Sequence, residues 1–122
     1  MQTKLLKIIP VLESADIGRD VKGYKEKTGF EVSFSHDKMY AGLYRDDLEI
    51  NLQWHAGTKD DPMNGGAVIR IDVKNIKPLF EEFKHRGTVK EEDLRENTPW
   101  GTNEFAFHDL NSNAIFISED IE

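Results

Sequence analysis

Residues 39–54 of the chain, MYAGLYRDDLEINLQW, contain the pattern that decides the fold. From Leu48 to Trp54 apolar and polar residues alternate, which is typical of a β-strand that is buried on one face only. Residues 39–45 have the length and aromatic content of another strand, and Asp46-Asp47 fits a two-residue turn between the two. The segment therefore predicts a pair of strands joined by a tight turn.

The chain before this segment predicts a strand, a helix and a further strand. Apolar residues dominate positions 4–12, although Pro10 lies among them. Because proline cannot donate a backbone hydrogen bond, it places this strand at an edge, at a bend, or where the chain leaves its own sheet for a neighbour's. A helix capped by Ser14 or Asp16 and ended by Gly29 follows, and residues 30–35 predict the next strand.

The second half of the chain repeats this order. Residues 67–73 predict a strand, and Asn75 is placed to cap a helix that ends at Gly87. Two strands follow, over residues 104–109 and 114–118, with a turn between them. Two copies of one supersecondary unit can bury each other's apolar sheet faces, so the repeat favours a single compact arrangement of both.

The repeat predicts two tandem βαβββ modules within one domain of residues 1–122, and hence an α+β fold. The first module is predicted over residues 1–56, a linker loop over 57–66 and the second module over 67–122. Residues 88–99 fit the repeat least, because they hold several acidic side chains where the first half has a strand. They predict a solvated loop or a short helix.

The composition excludes several classes of protein. With no cysteine, the chain cannot form disulfides, thiolate zinc sites or iron–sulfur clusters, and it has no cysteine nucleophile. Its 16 basic and 23 acidic residues give a net charge of −7, which disfavours nucleic acid as a partner and suits a cationic or neutral one. No apolar run approaches the roughly 18 residues of a membrane span, and we expect a cytoplasmic protein that binds no membrane.

Several short motifs recur in order along almost the whole chain and resemble those of one known family. They are Ile9-Pro10-Val11-Leu12, Asp16, Thr28-Gly29-Phe30, Tyr40-Ala41-Gly42-Leu43-Tyr44-Arg45-Asp46-Asp47, Pro99-Trp100-Gly101, Glu104-Phe105-Ala106-Phe107-His108-Asp109 and Asn113. Together they are similar to the bleomycin resistance proteins of the vicinal oxygen chelate superfamily, which also includes glyoxalase I, fosfomycin resistance proteins and extradiol dioxygenases. The family's Asp-Pro-x-Gly-Asn turn is replaced here by residues 109–113, which lack both proline and glycine, so this turn must be stabilised in another way.

The resemblance implies that each module curls into part of a concave sheet and that two chains form a homodimer. In the bleomycin resistance branch the subunits exchange the N-terminal strand, with a proline at the crossover, and Pro10 fits that position. A simple edge strand would explain Pro10 as well.

The resemblance also indicates where enzymes of the superfamily hold a divalent metal, with His and Glu side chains on inward-facing strand positions. Three of these positions correspond to Ile9, Val68 and Phe116, and the fourth lies near Ile50. Glu49 is the only carboxylate within one residue of the fourth position. We therefore predict no metal, no cofactor and no catalytic residues.

The ligand-binding residues follow from the same resemblance. Tyr40 and Trp100 correspond to two aromatic rings that sandwich the bithiazole tail of bleomycin, one from each subunit. Asn51 and Gln53 fall at groove-lining positions, and Asp60 and Asp61 lie where the family contacts its cationic drug. The alternatives are packing roles for the two rings, a solvent-facing strand side for the amides and an ordinary turn for the aspartates.

The sequence thus predicts a non-enzymatic, dimeric protein that binds and sequesters a cationic aromatic glycopeptide antibiotic or similar small molecule in grooves at the subunit interface. A metal-free relative that binds an unrelated metabolite is the first alternative. A metal-dependent lyase or isomerase of the same superfamily is the second.

Overall fold

A computed structural model describes residues 2–122 of the protein. The strands in this part of the chain are β1 (Val11–Ser14), β2 (Glu31–His36), β3 (Tyr40–Arg45), β4 (Leu48–Trp54), β5 (Val68–Asp72), β6 (Thr102–His108) and β7 (Ala114–Asp120). The helices are α1 (Ile17–Thr28) and α2 (Ile76–His85), together with a short 3₁₀ helix at Glu91–Asp93. None of the helices within residues 2–122 is long and apolar enough to cross a membrane.

The strands form two sheets of related topology. Sheet A has the order β1-β4-β3-β2 and sheet B the order β5-β7-β6. In each sheet the first strand runs parallel to the last one, β1 to β4 and β5 to β7, whereas the other neighbours are antiparallel. The predicted α+β fold with two repeated units is confirmed, including the β3–β4 hairpin.

The two repeats differ in one strand. At the place of β2, the second half has the 3₁₀ helix and a single bridge between Arg95 and Glu104. The acidic run at residues 91–93 is exposed, as the prediction of a solvated loop or short helix required. Sheet B therefore has three strands instead of four.

Different groups cap the two helices. Asp16 caps α1 by accepting a hydrogen bond from the Arg19 backbone N–H at 3.0 Å, and Gly29 ends it at φ 74°, a left-handed conformation that glycine adopts without strain. Asn75 precedes α2 as predicted, but its side chain makes no cap bond. The Glu119 carboxylate accepts the Asn75 N–H instead, at 2.9 Å.

Each helix packs on one face of one sheet, and neither helix covers the opposite face. Ala41, Leu43, Ile50 and Leu52 are buried on the face of sheet A that contacts α1. On sheet B the Phe105 ring packs against Phe80 and Phe83 of α2, with ring centroids 5.3 and 5.5 Å apart. We call the opposite faces open face A and open face B.

The N-terminal strand is shorter than predicted. Strand β1 begins at Val11, after Pro10, and residues 2–10 form no strand. We call residues 2–10 the N-terminal arm. Leu5, Leu6 and Ile8 of this arm are 93%, 82% and 95% exposed. The prediction of a strand over residues 4–12 is wrong for the single chain, because the arm lacks a pairing partner in it.

An ion-pair cluster joins the two halves of the chain. The Arg45 guanidinium at the end of β3 donates two hydrogen bonds of 2.8 Å to the Glu82 carboxylate on α2. Arg86 also donates to Glu82, at 2.8 Å. These hydrogen bonds lower the pKa of Glu82 to about 2, and those from Arg45 have the largest effect.

The turn between β6 and β7 compensates for its missing proline and glycine with side-chain hydrogen bonds. The Asp109 carboxylate accepts the backbone N–H groups of Asn111 and Asn113 at 2.8 and 3.0 Å, which is an Asx-type turn. The Tyr24 hydroxyl of α1 also donates to Asp109, at 2.7 Å. Burial, together with this bond, raises the pKa of Tyr24 above its ordinary value.

Candidate functional site

Open face A brings three of the predicted binding residues together. Tyr40 pairs with Gln53 across β3 and β4, and Asn51 pairs with Gly42 two positions further along the strands. Because side chains alternate between faces with a period of two, Tyr40, Asn51 and Gln53 share one face. The Asn51 amide donates a hydrogen bond to the Tyr40 hydroxyl at 2.9 Å.

Phe34 of β2 joins this group, and the sequence reasoning missed it. Its ring stacks on that of Tyr40, with centroids 6.0 Å apart and planes at 12° to each other. Gly42 leaves room for this ring, since a Cβ at that position would lie 2.2 Å from Phe34 Cε1. A glycine inside a strand next to a predicted aromatic strand is the signal that could have found it, because such a glycine marks the close approach of another group.

Two acidic side chains lie further along the same face. Glu31 and Glu49 both pair with Tyr44, which lies on the same face as Tyr40. Glu49 accepts a hydrogen bond of 2.5 Å from Lys7 of the N-terminal arm. Lys25 pairs with Glu31 at 3.6 Å, so both carboxylates already have a basic partner in the chain.

Trp100 lies at the other sheet, in the loop before β6, and its ring is 58% exposed. The Arg95 guanidinium carbon lies 5.2 Å from the centroid of this ring. In the described part of the single chain, no ring contact joins Trp100 to Tyr40. Tyr40 therefore lies on sheet A, whereas Trp100 lies in a loop beside sheet B.

Asp60 and Asp61 lie in the loop between β4 and β5. Asp60 is exposed. Asp61 accepts hydrogen bonds from the Ala56 backbone N–H at 2.9 Å and from the His55 ring at 2.7 Å. These bonds, the backbone one first, hold the pKa of Asp61 below its ordinary value. The loop thus uses the Asp61 carboxylate to fix its own conformation.

The positions at which the superfamily's enzymes hold a metal do not suit one here. Ile9, Val68 and Phe116 offer no nitrogen or oxygen ligand, and Glu49 is paired with Lys7. Within residues 2–122, no group of three or more His, Asp or Glu side chains could hold a metal ion. His55, one of the four histidines of the chain, is engaged by Asp61.

Comparison with known proteins gives relatives over the full chain. No family profile matches. A bleomycin resistance protein of Geobacillus stearothermophilus is 26% identical over 132 aligned positions, which cover 97% of this chain and 99% of the relative.

The fold matches solved structures as well. A bleomycin-binding protein from bleomycin-producing Streptomyces verticillus, complexed with copper(II)-bleomycin, superposes with a TM-score of 0.73 at 24% identity, covering 95% of this chain and 97% of that one. A glyoxalase-related enzyme from Clostridium phytofermentans gives a TM-score of 0.76 at 19% identity, with 98% of each chain covered. The chain thus has the glyoxalase/bleomycin resistance fold, and over its length it is similar in sequence to bleomycin resistance proteins.

Proposed function

We propose that the protein binds and sequesters a cationic aromatic glycopeptide antibiotic of the bleomycin type, or a similar small molecule, without changing it chemically. The observation that carries this proposal is the stacked Phe34–Tyr40 pair over Gly42, next to the Asn51 amide. The half-exposed Phe34 ring and the partly buried Tyr40 ring offer a flat surface to a planar ligand, and the amide offers it hydrogen bonds. The bleomycin resistance relatives support the class of ligand.

The binding groove requires a second wall, and we propose that a second copy of the chain supplies it. Phe34 is 48% and Trp100 58% exposed in the single chain, so both residues are accessible to a partner. In a homodimer, Tyr40 of one subunit and Trp100 of the other would lie on opposite sides of one groove. Asn51 and Gln53 would line this groove, and Asp60 and Asp61 would attract the cationic ligand towards it.

The N-terminal arm supports dimerisation by strand exchange about Pro10. Its exposed leucines and isoleucine form an apolar surface of the kind that marks an interaction site. A groove of about 420 Å³ lies between residues 47–50 and residues 69–72, with Lys7–Pro10 at its rim. An arm from the partner subunit would fill this groove and pair with strand edges that the single chain leaves free.

Binding without catalysis is the part of the proposal that separates the protein from the superfamily's enzymes. Ile9, Val68 and Phe116 cannot coordinate a metal ion at the positions those enzymes use, because their side chains have no nitrogen or oxygen atom. The alternatives remain a metal-free relative that binds an unrelated metabolite and a metal-dependent lyase or isomerase.

Titration of tryptophan fluorescence with bleomycin tests the ligand. We expect saturable quenching at micromolar drug, and mass spectrometry of the recovered drug should show an unchanged molecule. Absence of quenching would favour the unrelated metabolite. Stoichiometric metal in protein purified without chelator, or a modified drug, would favour the enzyme.

Sedimentation of the full chain and of a variant lacking residues 2–9 tests the assembly. We expect a dimer for the full chain and a monomer for the variant, which should also lose the ligand because its groove lacks a second wall. A full chain that sediments as a monomer of 14.0 kDa at micromolar concentration would overturn strand exchange.

A further inference from the structure

The Glu104 carboxylate of β6 is buried beside Trp100 and incompletely paired. The residue is 6% exposed. Its Oε2 accepts a hydrogen bond of 3.1 Å from the Thr102 hydroxyl and a long one of 3.4 Å from the Trp100 indole. A carboxylate can accept about four hydrogen bonds, and burying one is costly unless it is well paired.

The Arg95 side chain fills the position of a bound cation at this place. Its guanidinium lies 5.2 Å from the Trp100 ring centroid, and its Nη1 atom lies 3.6 Å from Glu104 Oε1. Arg95 is held nearby by its backbone, which exchanges two hydrogen bonds of 2.8 and 2.9 Å with that of Glu104. Its side chain is 58% exposed, and exposed ion pairs are weak, so the guanidinium can be displaced without disturbing the fold.

An unpartnered hydroxyl supports a ligand at the same place. Ser118 of β7 lies directly opposite Glu104 and therefore on the same open face B. It is fully buried, and its Oγ atom has no hydrogen-bond partner within the described residues. A buried polar atom without a partner in the free protein suits a site that is completed on binding.

From these contacts we infer that the Trp100 ring and the Glu104 carboxylate form a subsite for an organic cation, which Arg95 occupies until the ligand displaces it. Suitable groups are guanidinium, amidinium, ammonium and sulfonium, since each can lie over an indole and face a carboxylate. The inference rests on the proposed function, because it names the class of ligand group, an organic cation, that binds on the Trp100 side of the groove.

The first test uses bleomycin bearing a cationic terminal amine and bleomycinic acid, which lacks that cation. Arg95→Gln removes the competing cation and should tighten binding of the cationic drug by about three- to tenfold, whereas Glu104→Gln should weaken it by a similar factor. Both variants should change binding of bleomycinic acid by less than twofold. Lys84→Gln is the matched control, because Lys84 also lies over a ring, that of Phe80, but on the α2 side of the sheet.

A second test does not depend on bleomycin. Benzamidinium and its neutral analogue benzamide are titrated while NMR follows the two indole N–H signals of Trp54 and Trp100. We expect benzamidinium, but not benzamide, to shift the Trp100 signal saturably, at lower concentration in Arg95→Gln than in the wild-type chain.

The outcomes separate this inference from the proposed function. If bleomycin fails to bind but benzamidinium shifts Trp100, the cation subsite stands and the bleomycin assignment falls. If bleomycin binds but Arg95→Gln weakens the cationic drug or leaves its affinity unchanged, the inference is overturned. Equal shifts from benzamidinium and benzamide would also overturn it.

Discussion

The two open faces of the molecule occupy equivalent places in the repeat but present different chemistry. Open face A holds the stacked Phe34–Tyr40 pair, of which Phe34 is about half exposed and Tyr40 partly buried. Open face B holds the single Trp100 ring, which is covered in part by the chain's own Arg95. On our proposal the first face receives a planar group, whereas on the second a ligand cation replaces the Arg95 guanidinium.

The difference follows from one strand. In sheet A, strand β2 is complete and brings Phe34 over Gly42, next to Tyr40. In sheet B a loop replaces the corresponding strand and meets β6 at one bridge, which brings Arg95 beside Glu104. A repeat can thus keep its backbone plan and still give its two copies different recognition surfaces, because the edge segment decides which side chains reach the face.

The strongest test of this comparison fills the space that Gly42 leaves for the Phe34 ring. In Gly42→Ala the new Cβ would collide with the Phe34 ring, and we expect a loss of about 2–3 kcal/mol in unfolding free energy. Bleomycin affinity should fall at least tenfold, since the displaced ring no longer stacks on Tyr40. Denaturant unfolding and fluorescence titration measure the two effects.

Gly23→Ala is the control for this substitution. Gly23 lies in α1 with no atom within 4 Å of its hypothetical Cβ, so alanine should stabilise the protein by about 0.5–1 kcal/mol and leave binding unchanged. If Gly42→Ala behaves like Gly23→Ala, the Phe34–Tyr40 pair does not depend on Gly42.

A smaller loss of unfolding free energy is expected from the ion-pair cluster of Arg45, Glu82 and Arg86, which joins β3 to α2. Glu82→Gln breaks the paired hydrogen bonds to Arg45 and should cost about 1–2 kcal/mol at neutral pH, allowing for solvent screening of a partly exposed pair. Because the folded pKa of about 2 lies below the ordinary 4.5, this stabilisation is complete above pH 4.5 and lost as the pH falls towards 2.

Unfolding of both proteins between pH 7 and pH 2 measures this effect. The difference between wild type and Glu82→Gln should shrink as the pH falls below about 4.5. Glu81→Gln, at an exposed neighbouring position of α2, should differ little from wild type throughout. A difference that does not vary with pH would show that charge on Glu82 is not its source.

The smallest effect is expected from the Tyr40 hydroxyl. Tyr40→Phe keeps the stacked ring and loses only the bond from Asn51, so bleomycin affinity should fall about two- to fivefold, as for one neutral hydrogen bond. Calorimetric titration measures the change. A loss as large as that in Tyr40→Ala would mean that the hydroxyl, and not the stacking surface, dominates on open face A.

Most of the fold was predictable because its signals are local. Alternation from Leu48 to Trp54 and the caps Asp16 and Gly29 specify elements from neighbouring residues alone. The predicted N-terminal strand was too long. Apolar residues at positions 4–9 indicate burial, but they do not show that the single chain has no surface to bury them.

The site was less predictable, because it depends on contacts across strands. Tyr40, Asn51 and Gln53 could be assigned to one face by their spacing. Phe34 was harder to assign, since a register shift between Val32 and Phe34 changes which β2 residues face the site and only the strand glycine Gly42 points to it. The bonds from Ala56 and His55 to Asp61 also require the folded loop, and no pattern in the sequence indicates them.

Mixing two inactive variants tests most directly the claim that Tyr40 and Trp100 from different subunits enclose one ligand. Tyr40→Ala and Trp100→Ala chains are unfolded, combined in equal amounts and refolded, and calorimetry counts the tight bleomycin sites. Random pairing makes half the dimers mixed, and each mixed dimer has one groove with both rings, so about a quarter of all grooves should bind like wild type. A mixture with no tight sites, although sedimentation shows dimers and wild-type protein binds the drug, would contradict the account.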